Sequence, residues 1–351
     1  MNMTRKNVQY MFFGTLAVMI IFIVYLNFDQ TWEIWNNAFR MNIINFVFLA
    51  TTPEAPSTTI STTEEPHWED PGPFHVAYPG NYKFIMDDTP VCKTRDPFVI
   101  LMVPVAPGEV KVRDAIRETW GNEKIVLGQV VDTLFILGRP GGADAEQMQE
   151  KLQQENQEHH DLIQSNFRDS YYNLTIKSMV MLEWLVANCN NSAYFIKIDS
   201  DTLLHVPNLV KLLMDPSTAK QNYMSGLVWW HSPVIRDSNN RFFLPPEIIA
   251  EPEYPPYPLG MSYVMSLDLP RKILGISTQI KPIYIEDAYM GMCLKRLGIS
   301  PTEPPAPGMY LVAPKHPLSN CTLSKAVVVM TTGIPLMKNY WERTKDPDLT
   351  C

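Results

Sequence analysis

Apolar and polar positions along this chain fall into alternating short blocks. Three runs, 97–105 (PFVILMVPV), 132–138 (DTLFILG) and 193–198 (AYFIKI), are rich in β-branched and aromatic residues and predict buried strands. Between them lie stretches of helical composition: 109–121 (EVKVRDAIRETWG), which stops at Gly121, the polar 145–160 (AEQMQEKLQQENQEHH), and the largely apolar 173–187 (NLTIKSMVMLEWLVA). Strands alternating with helices predict an α/β sandwich with a mainly parallel central sheet flanked by helices. The Pro-rich segment 245–258 (PPEIIAEPEYPPYP) reads as a long loop, and no internal repeat is apparent.

The N-terminal pattern differs. Residues 7–28 are 22 positions without a charge, which as a helix span ~33 Å, enough to cross a bilayer. Arg5 and Lys6 precede the run and Asp29 and Glu33 follow it, so the tail 1–6 is expected in the cytosol and all later residues on the far side. A cleaved signal peptide is the competing reading, but the run is long for one and lacks a small-residue cleavage site. Residues 41–50 (MNIINFVFLA) form a second apolar patch too short to span. Residues 51–66 (TTPEAPSTTISTTEEP) contain no aromatic residue and read as an extended stem, O-glycosylated or simply flexible. The expected organisation is a tail 1–6, a transmembrane anchor 7–28, a stem 29–91 and a single globular domain 92–351.

At 351 residues the chain is long enough for one large domain with appendages, and its net charge of −8 excludes a dedicated nucleic-acid binder. Its five cysteines all lie beyond the anchor, where disulfides form, and their odd number leaves at least one free or paired with another chain. No C-x-x-C spacing suggests zinc. Asn173, Asn190 and Asn320 begin N-glycosylation sequons.

Candidate chemistry begins where the run 193–198 ends in Asp199-Ser200-Asp201. Residues i and i+2 of an extended segment face the same side, so both carboxylates can converge on one hard divalent cation, leaving positions open for a diphosphate. The alternative is a turn that caps the following helix. A second acidic pair, Glu286 and Asp287, stands where an apolar PIYI run gives way to a helix. Together the two sites provide what a transfer from a nucleotide leaving group needs, a base for the acceptor hydroxyl and a cation for the departing diphosphate; ordinary helix capping is the alternative for the second pair.

The blocks VRDAIRETWG (112–121), FILGR (135–139), DSYYNLTIKSMVMLEW (169–184), FIKIDSD (195–201) and IEDAYMGMCLKRLGI (285–299) resemble, in order and spacing, those of the beta-1,3-galactosyltransferases and their beta-1,3-N-acetylglucosaminyltransferase relatives. The resemblance covers about residues 92–351. It implies a GT-A fold, a type II protein of the Golgi membrane with its catalytic domain in the lumen, a UDP-sugar donor, a glycan acceptor, and a Mn2+-dependent transfer with inversion. It implies no particular oligomeric state. Asp199, Ser200 and Asp201 match the element that holds metal and donor diphosphate, with Asp201 the more direct metal ligand. Asp287 matches the general base, with Glu286 supporting or substituting for it. Arg113 and Arg117 match arginines of the first block; four residues apart, they share a helix face and either steer the donor phosphates or bind structural carboxylates. Trp120 and Trp184 match as well and read as core, while Tyr171, Tyr172 and Lys177 read as structural.

Two departures stand out. Where relatives commonly carry Cys-Ser-Gly-x-Gly-Tyr, this chain reads Pro258-Leu259-Gly260-Met261-Ser262-Tyr263, which adds bulk and removes backbone freedom. Where relatives often carry a His-Trp pair before the cysteine matching Cys321, the nearest candidate metal ligand is His316, followed by Pro317. The expected reaction is transfer of galactose from UDP-galactose in β1,3 linkage to an acceptor such as N-acetylglucosamine on glycoproteins or glycolipids. UDP-N-acetylglucosamine as donor, and a non-catalytic paralogue acting as a chaperone or binding protein, are the alternatives.

Overall fold

A computed structural model describes residues 74–351. The predicted tail 1–6, the anchor 7–28 and the Thr/Pro-rich 51–66 lie outside the described residues, among which no helix is long and apolar enough to cross a membrane.

The central sheet is built from β1 (Phe84–Met86), β2 (Val99–Pro104), β4 (Gln129–Arg139), β5 (Leu162–Arg168), β6 (Tyr194–Ile198), β8 (Met224–Trp229) and β9 (Tyr257–Ser266), with β3 (Ile125–Val126) as a short hairpin partner of β4. Its order is β1-β5-β4-β2-β6-β9-β8. The four inner strands β5, β4, β2 and β6 run parallel, whereas β1, β9 and β8 pair antiparallel. The mainly parallel sheet expected from the sequence is therefore corrected to a mixed one. The αβ alternation that signals parallel strands covers only residues 97–198, and β9 enters after the long Pro-rich loop, where no such pattern exists.

Helices α1 (Val110–Glu118), α2 (Ala145–His159), α3 (Leu174–Asn188), α4 (Val206–Met214), α5 (Asp268–Ser277), α6 (Glu286–Leu297), α7 (Asn320–Lys325) and α8 (Ile334–Thr344) complete the main elements. Alternate residues of the inner strands feed two cores. Ile100, Met102, Leu134, Ile136 and Phe195 pack with α3, α5 and α6. Val99, Leu101, Val103, Phe135, Leu137 and Ile196 pack with α1, α4 and α8. With both faces covered the strands read as continuous apolar runs. A second small sheet, β10 (Tyr310–Leu311), β11 (Val328–Met330) and β7 (Thr202–Leu204), flanks the end of β6.

Residues 74–91, read from the sequence as the end of the stem, belong to the folded unit instead. Val76 and Tyr78 are buried and β1 pairs with β5. Cys92 bonds to Cys189 and Cys321 to Cys351, leaving Cys293 as a free thiol buried in α6. Its burial accounts for the odd cysteine without a partner chain.

Chain order sets the location of a site. From β2 the chain passes through α1 to β4, toward one edge of the sheet, whereas from β6 it passes through β7 and α4 to β8 at the other edge. The segments leaving the carboxyl ends of β2 and β6 thus diverge, and such a switch point is where open α/β sheets bind ligands.

Candidate active site

Asp199 follows directly on the last residue of β6, and the turn it begins is held at several points. Asp199 N–H donates to the Met261 carbonyl at 2.9 Å, and the Thr202 hydroxyl donates to the Asp199 carbonyl at 2.6 Å. The Asp201 carbonyl accepts from the Thr331 N–H at 2.9 Å and hydroxyl at 2.8 Å. Trp120, fully buried, donates its indole N–H to the Thr202 carbonyl at 3.2 Å. The helix-capping alternative does not apply here, because β7 separates this turn from α4, whose cap is His205. Fixed backbone leaves the carboxylates for other partners. Asp199 Oδ1 takes the Lys197 ammonium at 2.6 Å, and Asp201 is exposed. Desolvation by the surrounding protein, reinforced by the neighbouring Asp199, pushes the Asp201 carboxyl up to about 6. A carboxylate whose ionisation is resisted, with a second one beside it, is what a hard divalent cation stabilises, so this oxygen donor set fits one. His316 is not brought to it. Its Nδ1 lies 2.9 Å from the Tyr340 hydroxyl with the two rings packed, and among the described residues no group of three or more His, Cys, Asp or Glu gathers as a ligand set.

The second acidic pair opens α6, and its members diverge. Asp287 Oδ2 accepts the Gly260 N–H at 2.7 Å and Oδ1 the Ala288 N–H at 2.9 Å. Burial raises the Asp287 carboxyl above the ordinary aspartate range, the charge of Asp199 adding to it, against the pull of those two N–H groups. Glu286 points into the core, 7% exposed, where its Oε1 accepts the Tyr263 hydroxyl at 2.5 Å. Burial raises its carboxyl too. Asp287 is therefore the member that faces the bulge of β9, and Glu286 the one that faces the core.

Both acidic sites meet β9. Between Gly226↔Tyr263 and Val228↔Pro258 the β8–β9 register shifts, so that residues 259–262 of β9 face only Leu227. This bulge, a common device beside active sites, lies within the segment 258–263 singled out in the sequence. A Cβ at Gly260 would lie 3.1 Å from Asp287 Oδ2, so the carboxylate would have to shift by a few tenths of an ångström to admit one. Ser262 turns away from the cleft, 1% exposed, and its hydroxyl has no partner among the described residues.

Arg113 and Arg117 take the carboxylate option. Arg113, 1% exposed, forks onto Glu155 (2.7 and 2.6 Å) and donates to the Ala106 and Pro107 carbonyls (3.0 and 3.2 Å). Arg117 forks onto Asp161 (2.8 Å twice) and also reaches Glu155 and Asp114. Neither guanidinium is spare for a phosphate. Arg113 instead fixes the chain leaving β2, and the buried Lys177 does likewise, bonding Asp169 and the Val105 carbonyl. Trp184 is fully buried, as expected.

Sequence reading gave no role to Lys197, although it lies within FIKIDSD, and took Tyr171 and Tyr172 as structural, whereas the structure leaves both rings exposed. Burial raises the Tyr171 hydroxyl; the charge of Arg241 opposes this, and those of Asp287 and Asp199 add to it. Arg241 lies over the Tyr171 and Phe242 rings, 6.0 and 4.5 Å from their centroids. An aromatic ring beside a cation thus borders the acidic cleft. Of the sequon residues, Asn190 and Asn320 are exposed, whereas Asn173 is partly buried and donates to the Arg168 carbonyl.

The profile of the family described as Galactosyltransferase matches residues 111–305. The chain is 33% identical over 233 residues to Beta-1,3-galactosyltransferase 2 of Homo sapiens, covering 66% of this chain and 55% of that one. It is 35% identical over 226 residues to Beta-1,3-galactosyltransferase 1 of Mus musculus (64% and 68%) and 36% identical over 237 residues to Lactosylceramide 1,3-N-acetyl-beta-D-glucosaminyltransferase A of Danio rerio (66% and 62%). The match thus spans little more than half the length of the first of these relatives. Among solved structures it is similar to a glycosyltransferase involved in the glycosylation of the major capsid of PBCV-1, with 10% identity, a TM-score of 0.38 and coverage of 70% of this chain and 100% of that one.

Proposed function

The chain belongs to the galactosyltransferase family, and from that premise we propose that it is a UDP-sugar-dependent hexosyltransferase making a β1,3 bond, with UDP-galactose as donor and an acceptor sugar such as N-acetylglucosamine on glycoproteins or glycolipids. The observation that carries this reading is the convergence of two separate acidic sites on one bulge of β9 at the sheet's switch point. In it, Asp287 accepts the proton of the acceptor hydroxyl, whose oxygen forms the new bond at the anomeric carbon as the bond to the diphosphate breaks. A single in-line displacement of this kind inverts the carbon and needs no protein nucleophile. Its buried, raised carboxyl makes Asp287 a stronger base than a surface aspartate. Asp201, with Asp199 beside it, would hold Mn2+, which supplies charge for the departing diphosphate when bound. Tyr171 and Arg241 border the cleft and are the surface on which we place the acceptor ring.

A UDP-N-acetylglucosamine donor is the second reading, supported by the identity to the N-acetylglucosaminyltransferase of Danio rerio. We place the enzyme in the Golgi membrane, anchored through residues 7–28 with its catalytic domain in the lumen. Two disulfides and two exposed sequon asparagines support that oxidising address. The test is to incubate the full-length protein with Mn2+, a panel of UDP-sugars and N-acetylglucosamine, galactose or N-acetylgalactosamine acceptors, and to analyse the linkage of the product. A Mn2+-dependent β1,3-galactoside is expected. A folded protein that binds UDP with Mn2+ yet forms no product with any pair would overturn the catalytic reading in favour of a binding protein.

A further inference from the structure

Lys197 is a buried lysine that no part of the proposed chemistry uses. Its side chain is 7% exposed and its one ion pair is with Asp199 Oδ1 at 2.6 Å. The same ammonium donates to the Gly260 carbonyl. Gly260 sits in the four-residue bulge, where its backbone groups are released from the β8 ladder. Both go to side chains: the carbonyl to Lys197 and the N–H to Asp287. The Tyr263 ring, 5.8 Å from the Lys197 nitrogen, walls the same pocket and hydrogen-bonds Glu286 on its other side. One buried cation and one glycine therefore join the carboxylate at the end of β6 to the carboxylate at the start of α6.

We propose that Lys197 is a positioning residue. Through Asp199 it orients the donor end of the cleft, and through the Gly260 backbone it aims Asp287 at the acceptor hydroxyl, so that the two acidic sites move as one unit. The inference rests on the roles proposed above for Asp199, Asp201 and Asp287. A lysine that merely balanced charge would have no need of Gly260. The two bonds that matter are main-chain bonds of Gly260, so the side chains of Pro258 and Ser262 take no part in the link.

The test compares Lys197→Met, Gly260→Ala and Asp287→Asn in the full-length protein. Gly260→Ala touches neither aspartate of β6, and its added Cβ would stand 3.1, 3.3 and 3.4 Å from Oδ2, Cγ and Cβ of Asp287. It should lower kcat at least about tenfold while the affinity for UDP with Mn2+, measured by calorimetry, stays within about twofold. Lys197→Met should lower kcat about 100-fold and also weaken UDP–Mn2+ binding, with the unfolding midpoint showing that the protein is folded. Wild-type kcat in Gly260→Ala, or in Lys197→Met, would overturn the inference. Asp287→Asn separates it from the underlying reading: inactivity there with both other variants unimpaired removes only the role of Lys197, whereas turnover by Asp287→Asn removes the proposed base itself.

Discussion

Replacing Arg113 by Met separates a structural arginine from a donor-binding one. The guanidinium is 1% exposed and makes four bonds, two to Glu155 at 2.7 and 2.6 Å and one each to the Ala106 and Pro107 carbonyls at 3.0 and 3.2 Å. Met fills most of the volume, so packing is largely kept and the loss is polar. Two carbonyls stripped of a charged donor cost about 1 kcal/mol each or more. Glu155, 9% exposed at its side chain, keeps Arg117 at 2.7 Å but loses its forked partner. Breaking a buried pair from one side costs about 3–5 kcal/mol, and the retained Arg117 argues for the lower half of that range. Urea unfolding followed by tryptophan fluorescence should show a loss of about 5–6 kcal/mol. Adding Glu155→Gln to Arg113→Met should cost less than the sum of the two single changes by about 1–2 kcal/mol, because the partners form one network. UDP affinity should change little in the folded variant. A loss under about 1 kcal/mol together with a tenfold fall in UDP affinity would refute the structural assignment and restore the phosphate-binding one.

Other consequences follow from the same contacts. Ser262→Ala removes a buried hydroxyl that has no partner and should stabilise the protein by up to about 1 kcal/mol in urea unfolding; a destabilised variant would mean the hydroxyl is bonded in solution. Burial alone would raise the Glu155 carboxyl, but the bonds and charges of Arg113 and Arg117 overturn this and hold it below the ordinary glutamate range. Its contribution to stability is therefore full above the unfolded value of about 4.3 and is lost as pH falls through the lower folded value. Glu155→Gln should differ most from the parent in unfolding free energy near neutrality, with the difference shrinking below about pH 4; a difference independent of pH would contradict this. Tyr171→Ala removes the exposed ring under Arg241 and should raise the acceptor KM about tenfold, worth ~1.4 kcal/mol, while leaving donor KM unchanged. An effect on donor KM alone would place the acceptor elsewhere.

Much of the candidate site was legible in advance because its signals are local. Asp199 and Asp201 announce themselves by terminating an apolar strand, and Asp287 by opening a helix, and the structure brings both to the same bulge. Between Glu286 and Asp287 the sequence could not choose, because the difference is one of direction: one carboxylate faces Tyr263 in the core and the other the Gly260 backbone. Arg113 and Arg117 were recognisable as a pair on one helix face but not by purpose, since their partners Glu155 and Asp161 lie some 40 residues away, at separations of 42 and 44. His316 illustrates the opposite limit, a residue type with metal chemistry that the fold assigns to Tyr340.

By itself the sequence determined the alternation of strands and helices over 97–198, because periodicity and β-branched content act within a few residues. It also determined the net charge of −8 and the residue types from which a cation site would be made. Only the tertiary structure decided that the sheet is mixed, which cysteine is left unpaired, and that residues 74–91 join the fold. The same holds for Lys197, whose place depends on a bulge created by the register of β8 against β9. Strand order, register and the burial of a charge depend on contacts between segments far apart in the chain, and their free energies exist only once those segments have met.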